Sequence, residues 1–385
     1  MPKPVTEDAV WRGELESPRV AVPNSNAVSQ ARQRVLFIGP CDRGGISTVN
    51  QQVRNLVGRS QLFESHSINT TPWRQISPLV GYPILYLITA WTLLRRRFDL
   101  AYLQVSQTGF IHQSIFLLIA KMAGCRTIAH FHAKPSVSST LSPRALGRLM
   151  GTQRYIDQLI VLAESSKRDL EQHGWKKPID VIPNFLEASA YPQDRLPLEK
   201  REYLLYFGRM EENKGIYKVL ELARHLPEEQ FVFIGPFANS RLERAFASQA
   251  LPFPNVRWLG PIYGDGKIAH LQRAKALVFP SETEVFPMTL IESALCGVVP
   301  FATPVGLVGS LIRPGINGFF IDADAPDQTA RVIRELLADP NRYETVARNW
   351  HDAARQRFTA AVVGPRLISI LRGESATRPG ENHAD

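Results

Sequence analysis

Glu284 and Glu292 stand eight residues apart in Ser281-Glu-Thr-Glu-Val-Phe-Pro-Met-Thr-Leu-Ile-Glu-Ser-Ala-Leu-Cys-Gly297. Eight residues of helix make a little over two turns, so carboxylates at that spacing project from nearly the same face. Glu284 is expected in the loop or first turn that begins the helix, stiffened by Phe286-Pro287, with Glu292 two turns further in. Carboxylates accept hydrogen bonds from hydroxyls, and a helix N-terminus offers free N–H groups and the positive end of a dipole to an anion. The pair therefore suits a molecule that carries both hydroxyls and phosphate. Glu292 falls among Leu290, Ile291, Ala294 and Leu295, where a charge without a partner would be strongly unfavourable.

A second group of residues is basic. Arg209 and Lys214 follow an apolar run in Tyr203-Leu-Leu-Tyr-Phe-Gly-Arg-Met-Glu-Glu-Asn-Lys-Gly215. A planar guanidinium fork and an ammonium point charge at a strand end can hold phosphate. The alternative is two solvated loop cations beside Glu211 and Glu212. Gly44 and Gly45 follow Arg34-Val-Leu-Phe-Ile-Gly39, where they either admit close approach of a phosphate or acceptor or simply make a tight turn. His130 and His132 flank Phe131 at another strand end, and are expected on opposite sides of it.

The elements that must position these residues alternate along the chain. Apolar strand runs are expected at 35–39, 100–105, 126–131, 159–163 and 180–182. A second series covers 203–207, 231–235, 256–259, 276–279, 298–302 and 318–321. Helical patterns lie between them, notably 47–57, 83–97 and 111–123. Alternating β and α with short apolar strands indicates an α/β protein with parallel sheets covered by helices on both faces. A chain of 385 residues suits two such domains, and 184–200, rich in Pro, Ala and charge, reads as the linker.

In combination these segments closely resemble the retaining glycosyltransferases of family 4, which have the GT-B fold. The residues that carry the resemblance are the Glu284-x7-Glu292 pair, Gly208-Arg209 with Lys214-Gly215, Gly44-Gly45, and His132 at a strand end, over roughly residues 31 to 373. The resemblance implies two Rossmann-like domains facing a cleft, at 31–190 and 200–358, with a last helix at 359–372 crossing back to the first. It implies retaining transfer of a hexose from a nucleotide diphosphate sugar to a sugar acceptor, often lipid-linked, in bacterial polysaccharide biosynthesis. By the same resemblance Glu292 binds the ribose, Glu284 and His132 stand beside the transferred sugar, and Arg209 and Lys214 bind the diphosphate. Gly44, Gly45 and the backbone of Phe286, Pro287 and Met288 are then further donor contacts, and His130 stays open. No obligatory metal or other cofactor is implied, and Asp322-Ala-Asp324, a D-x-D in a late loop, is not taken as a metal site. Val285 stands where the family often has glycine. The alternatives are a nucleotide-sugar 2-epimerase of the same fold, or a non-catalytic scaffold that binds sugar nucleotides.

Charge is distributed unevenly. Residues 31–198 hold 20 Lys and Arg against 10 Asp and Glu, whereas 199–385 hold 22 of each. The excess favours phosphates or an anionic membrane surface near the first domain. Nucleic acid is disfavoured, because no reading motif accompanies the charge. Mean hydropathy of −0.14 reads as a globular protein. The three cysteines, Cys41, Cys125 and Cys296, lack metal-ligand spacing and are expected as buried free thiols in a reducing compartment. Residues 1–30 lack the apolar core of a signal peptide, so a disordered leader in a cytoplasmic protein is expected, with a disordered tail at 374–385. The uncharged stretch 76–94 precedes Arg95-Arg96-Arg97. Pro83 reads as the first turn of a helix too short to span a bilayer, which is either a core helix or an interfacial one with an arginine anchor.

Overall fold

A computed structural model describes residues 32–41, 44–71, 77–106, 109–132, 141–322 and 324–374. The expected leader, and the tail beyond Glu374, lie outside the described residues. The first half of the chain runs β1 (Gln33–Gly39), α1 (Gly45–Ser60), β2 (Phe63–Asn69), α2 (Pro78–Arg95), β3 (Leu100–Ser106), α3 (Phe110–Met122), β4 (Arg126–His132), α4 (Pro143–Thr152), β5 (Gln158–Val161), α5 (Glu164–Gln172) and β6 (Ile179–Val181). The second half runs β7 (Tyr203–Phe207), α6 (Ile216–His225), β8 (Gln230–Ile234), α7 (Ser240–Ala250), β9 (Val256–Trp258), α8 (Gly264–Arg273), β10 (Ala274–Phe279), α9 (Met288–Leu295), β11 (Val299–Ala302), α10 (Val308–Leu311), β12 (Phe319–Phe320), α11 (Pro326–Leu337), α12 (Pro340–Arg357) and α13 (Ala360–Arg372).

The strands form two six-stranded parallel sheets, ordered β2-β1-β3-β4-β5-β6 and β12-β11-β10-β7-β8-β9. Central strands are buried on both faces, as in β3, where the first six of seven residues are inaccessible; this is why they read as continuous apolar runs. The chain order reverses between β1 and β3 in the first sheet and between β7 and β10 in the second. At such a switch point successive crossovers leave on opposite faces, and a crevice opens beyond the carboxyl ends of the two strands.

One apolar cluster runs from Val35 and Phe37 of the first sheet through Phe185 and Leu186 to Leu205 and Leu277 of the second. Where α12 meets α13, Leu186 donates its N–H to Phe358 O at 2.9 Å, and Ala360 returns one to Leu186 O at 2.8 Å. The last helix then lies against the first half of the chain. Arg126 of β4 donates to the carbonyls of Ile370 and Leu371, at 2.7 and 2.9 Å. A Cβ on Gly364 would stand 2.8 Å from the Leu56 side chain of α1.

Three expectations are corrected. Pro83 is not in a first turn, because α2 begins at Pro78 and continues through Pro83 for 18 residues. A proline so near the N-terminus removes a single intrahelical hydrogen bond, which the remaining turns tolerate. Cys41 is exposed, since it lies just beyond the buried end of β1, whereas Cys125 and Cys296 are buried. The edge strand β2, Phe-Glu-Ser-His-Ser-Ile-Asn, has no counterpart among the expected strands; only Phe63 and Ile68 are buried, so it lacks an apolar run.

Candidate functional site

The switch point of the second sheet brings together the loops that follow β7 and β10. Lys214 leaves β7 through a short 3-10 turn and places Nζ 2.6 Å from Glu284 Oε1 and 2.9 Å from the Thr283 carbonyl. The Ser281 hydroxyl donates to the same Glu284 oxygen at 3.1 Å. Two glycines let the backbone close around this loop. Gly215, at φ +76°, would carry a Cβ 2.4 Å from Pro280 O, and Gly306, at φ +59°, one 2.1 Å from Glu284 O. Neither space nor dihedral admits a side chain there. Leu307 N–H also donates to Val285 O at 3.0 Å, and Glu282 N–H to Asn213 O at 2.9 Å. Val285 itself has no positive φ, the single such non-glycine among the described residues being Gln61.

Glu292 has different partners from Glu284. Helix α9 starts at Met288, so Glu284 lies four residues before it, and helical spacing does not relate the two carboxylates. The extended backbone at Pro287 separates them. Glu292 is buried at 4% exposure and paired with Lys267 of α8, Nζ to Oε1 2.5 Å. Tyr191 is buried close to Glu292, and burial followed by the nearby carboxylate pushes the Tyr191 pKa far above the ordinary tyrosine range. Phe286 turns inward, packs edge-on against Phe358 with ring centroids 5.4 Å apart, and offers its carbonyl to Asn184 Nδ2 at 2.9 Å. Pro287 supplies no side-chain cap to α9, whose first turn closes with Leu290 N–H donating to Pro287 O at 3.2 Å. Arg209 sits at the same strand end as Lys214 but is exposed, with Nη1 3.1 Å from Glu211 Oε1.

The switch point of the first sheet carries the remaining residues. Gly44 is the N-cap of α1 with φ 140°, and nothing lies within 4 Å of a Cβ built on it or on Gly45. Across the crevice, the ends of β3 and β4 hold a polar network. Residues two apart on a strand share a face, so His130 and His132 are not on opposite sides of Phe131; their rings stack with centroids 4.5 Å apart. Tyr102 bonds His130 Nδ1 at 2.6 Å, and Gln104 Oε1 holds His132 Nε2. Burial lowers the His132 pKa to about 3 and, with His132 beside it, carries that of His130 well below its ordinary value. Both rings are therefore neutral at physiological pH. A cavity of about 200 Å³ adjoins this network, lined by Gly39, Tyr82, Gln104, Ser106, Gln113 and Phe116 among others. Among the described residues no charged side chain lines it.

Lys267, Gln104, Ser281 and Gly306 have no assigned role in the sequence reading. Ser281 opens the carboxylate segment, and that position is the one signal that could have marked it. Lys267 and Gln104 gain meaning only from partners 25 and 28 residues away. Asp322 accepts the Asp324 N–H at 2.9 Å, which makes a local turn of the D-x-D. Among the described residues no three His, Cys, Asp or Glu side chains gather as a metal would need.

Two six-stranded parallel sheets, each with polar residues at its switch point, make up the GT-B fold. Residues 189–357, somewhat less than half of the chain, match the family described as "Glycosyl transferases group 1". The D-rhamnosyltransferase WbpZ of Pseudomonas aeruginosa is 26% identical over 82% of this chain and 89% of its own length. A D-inositol 3-phosphate glycosyltransferase of Xylanimonas cellulosilytica is 26% identical over 62% of each chain. Among solved structures, Anabaena Alr3699/HepE in complex with UDP-glucose superposes with a TM-score of 0.70 at 17% identity, covering 89% of this chain and 100% of that one. Sucrose-phosphate synthase from Thermosynechococcus elongatus gives 0.71 at 15% identity, over 89% and 99%.

Proposed function

We propose that the protein transfers a hexose, with retention of configuration, from a nucleotide diphosphate sugar to a lipid-linked sugar acceptor at the cytoplasmic membrane face, in cell-surface polysaccharide biosynthesis. The observation that carries this reading is the Lys214–Glu284 contact at the second switch point, beside the uncapped start of α9. A leaving diphosphate gains negative charge as the glycosidic bond breaks. An ammonium and the positive end of a helix dipole stabilise that charge most in the transition state. Arg209, exposed at the same strand end, adds a second cation when the donor arrives. No obligatory metal is needed on this reading.

Glu284 is held by Lys214 and Ser281, which suits a carboxylate that orients sugar hydroxyls rather than one that attacks carbon. Glu292, buried next to Tyr191 and Lys267, accepts from the ribose hydroxyls on this reading. His132, neutral and fixed by Gln104, serves as a hydrogen-bond partner for the sugar. The acceptor hydroxyl attacks from the face the diphosphate leaves, and a phosphate oxygen takes its proton, so no separate base is required. Support comes from the transferase names of the relatives and from the HepE structures, which hold UDP, glucose and UDP-glucose.

A thermal-shift panel of nucleoside diphosphates and nucleotide diphosphate hexoses tests the donor directly. One nucleotide series should raise the unfolding midpoint, and Lys214→Ala and Glu292→Gln should abolish the rise. No shift with any nucleotide, at concentrations far above the micromolar range, would sink the reading.

A further inference from the structure

Helix α2 is 18 residues long and has no charged side chain before Arg95. Its inner face, with Leu85, Thr89 and Leu93 buried, packs into the first half of the chain. Its outer face is equally apolar. Val80, Leu87, Trp91 and Leu94 are 50, 71, 58 and 83% exposed, and Pro83 is exposed between them. These positions recur at intervals of three and four and so form one continuous stripe. A helix on the surface of a globular domain ordinarily turns charge outward, and an exposed stripe of this kind marks an interaction surface.

The stripe ends in positive charge. Arg95 lays its guanidinium 4.1 Å from the centre of the Trp91 ring, and exposed Arg96 and Arg97 follow. None of the three has an ion-pair partner among the described residues. At 1.5 Å per residue the helix is roughly 27 Å long. No described helix is long and apolar enough to cross a membrane. The other end of α2 reaches the first-sheet cavity, which Tyr82 lines while stacking on His112 at 4.6 Å.

We infer that α2 is an interfacial helix that lies flat on an anionic bilayer, its Val80-Leu87-Trp91-Leu94 stripe at the acyl boundary and Arg95, Arg96 and Arg97 against lipid phosphates. Charge selects the occupant: a cationic domain with three unpaired arginines at the end of an apolar stripe complements a surface that is apolar beneath and anionic above. Trp91 is suited to that boundary, with an apolar ring under a cation. The choice of a membrane rests on the lipid-linked acceptor proposed above, and the arrangement brings the Tyr82 cavity to the interface where such an acceptor would arrive. The test below does not use the acceptor.

The full chain is floated with vesicles of phosphatidylcholine containing phosphatidylglycerol, and with phosphatidylcholine alone. Brominated lipid reports depth by quenching tryptophan. The expected result is co-flotation that prefers the anionic vesicles, with bromine quenching that is mostly lost in Trp91→Phe. Leu87→Asn with Leu94→Asn should lower partitioning by about tenfold or more while the unfolding midpoint and donor hydrolysis in solution stay unchanged. Replacing Arg95, Arg96 and Arg97 by Gln should remove the preference for anionic lipid. The inference fails if the wild-type chain does not float, or if the paired leucine substitutions leave flotation intact. It also fails if the wild-type chain is a dimer that those substitutions convert to monomer, because a second copy then covers the stripe. Donor hydrolysis, measured in parallel, reports separately on the proposed reaction.

Discussion

Lys214 Nζ lies 2.6 Å from Glu284 Oε1, joining residues 70 apart in sequence across the point where the second sheet reverses its order. Both side chains are less than one-fifth exposed, so the pair is partly shielded from solvent. Lys214→Ala should cut kcat/KM by a factor corresponding to about 2–4 kcal/mol, because one cation facing the diphosphate is lost. Lys214→Arg should recover part of it. Near-normal turnover by the alanine variant, in steady-state assays with the identified donor, would remove Lys214 from the site.

The two carboxylates should separate binding from transfer. Glu292→Gln should weaken the free nucleoside diphosphate, since a ribose contact does not depend on the sugar. Glu284→Gln should leave that affinity unchanged and reduce transfer. Calorimetric titration of the diphosphate into each variant ranks them, and the reverse order would exchange the roles.

Lys267→Met leaves Glu292 buried with its ammonium partner gone. Removal of one member of a buried pair costs on the order of 3 kcal/mol, here reduced somewhat because Lys267 is about one-fifth exposed. Urea unfolding should show that loss, and Lys267→Met combined with Glu292→Met should recover most of it. A single substitution without effect on stability would mean that the pair does not compensate the buried charge.

Gly306→Ala should be more harmful than its size suggests. The added Cβ would meet Glu284 O at 2.1 Å in a backbone region that alanine rarely adopts, so the Glu284 loop must move. Loss of transfer should exceed loss of thermal stability. Gly45→Ala, with open space around its Cβ, should retain its fold and serves as the control.

The stacked histidines should make the fold sensitive to acid. His132 is lowered to about 3 and His130 well below its ordinary value, against about 6.5 for an unfolded histidine. Below that value the unfolded chain binds protons that the native state refuses, so stability falls as pH drops towards 3. The slope approaches about 1.4 kcal/mol per pH unit for each ring. Urea midpoints at several pH values between 7 and 5 should decline, and His132→Gln should flatten the decline by about one proton. An unchanged slope would show that His132 is not buried neutral.

The buried parallel strands were legible because burial on both faces leaves an apolar run, and Tyr203–Phe207 is an instance with matching ends. The edge strand β2 was illegible for the opposite reason, being half solvated. Motif residues such as Lys214 and Glu284 could be named, but not their mutual contact, which depends on strand order rather than spacing. The helical relation between Glu284 and Glu292 failed because α9 begins only at Met288. Gln104 and Lys267 carry no local signal at all, since each acts through a side chain on another element.

The anomeric configuration of the first-formed product tests the central claim most directly. With the donor that stabilises the protein, proton NMR of transfer to a soluble acceptor analogue should show a hexose linked in the donor's own configuration. The signal should vanish in Lys214→Ala. An inverted linkage, or no transfer from a donor that demonstrably binds, would contradict the account.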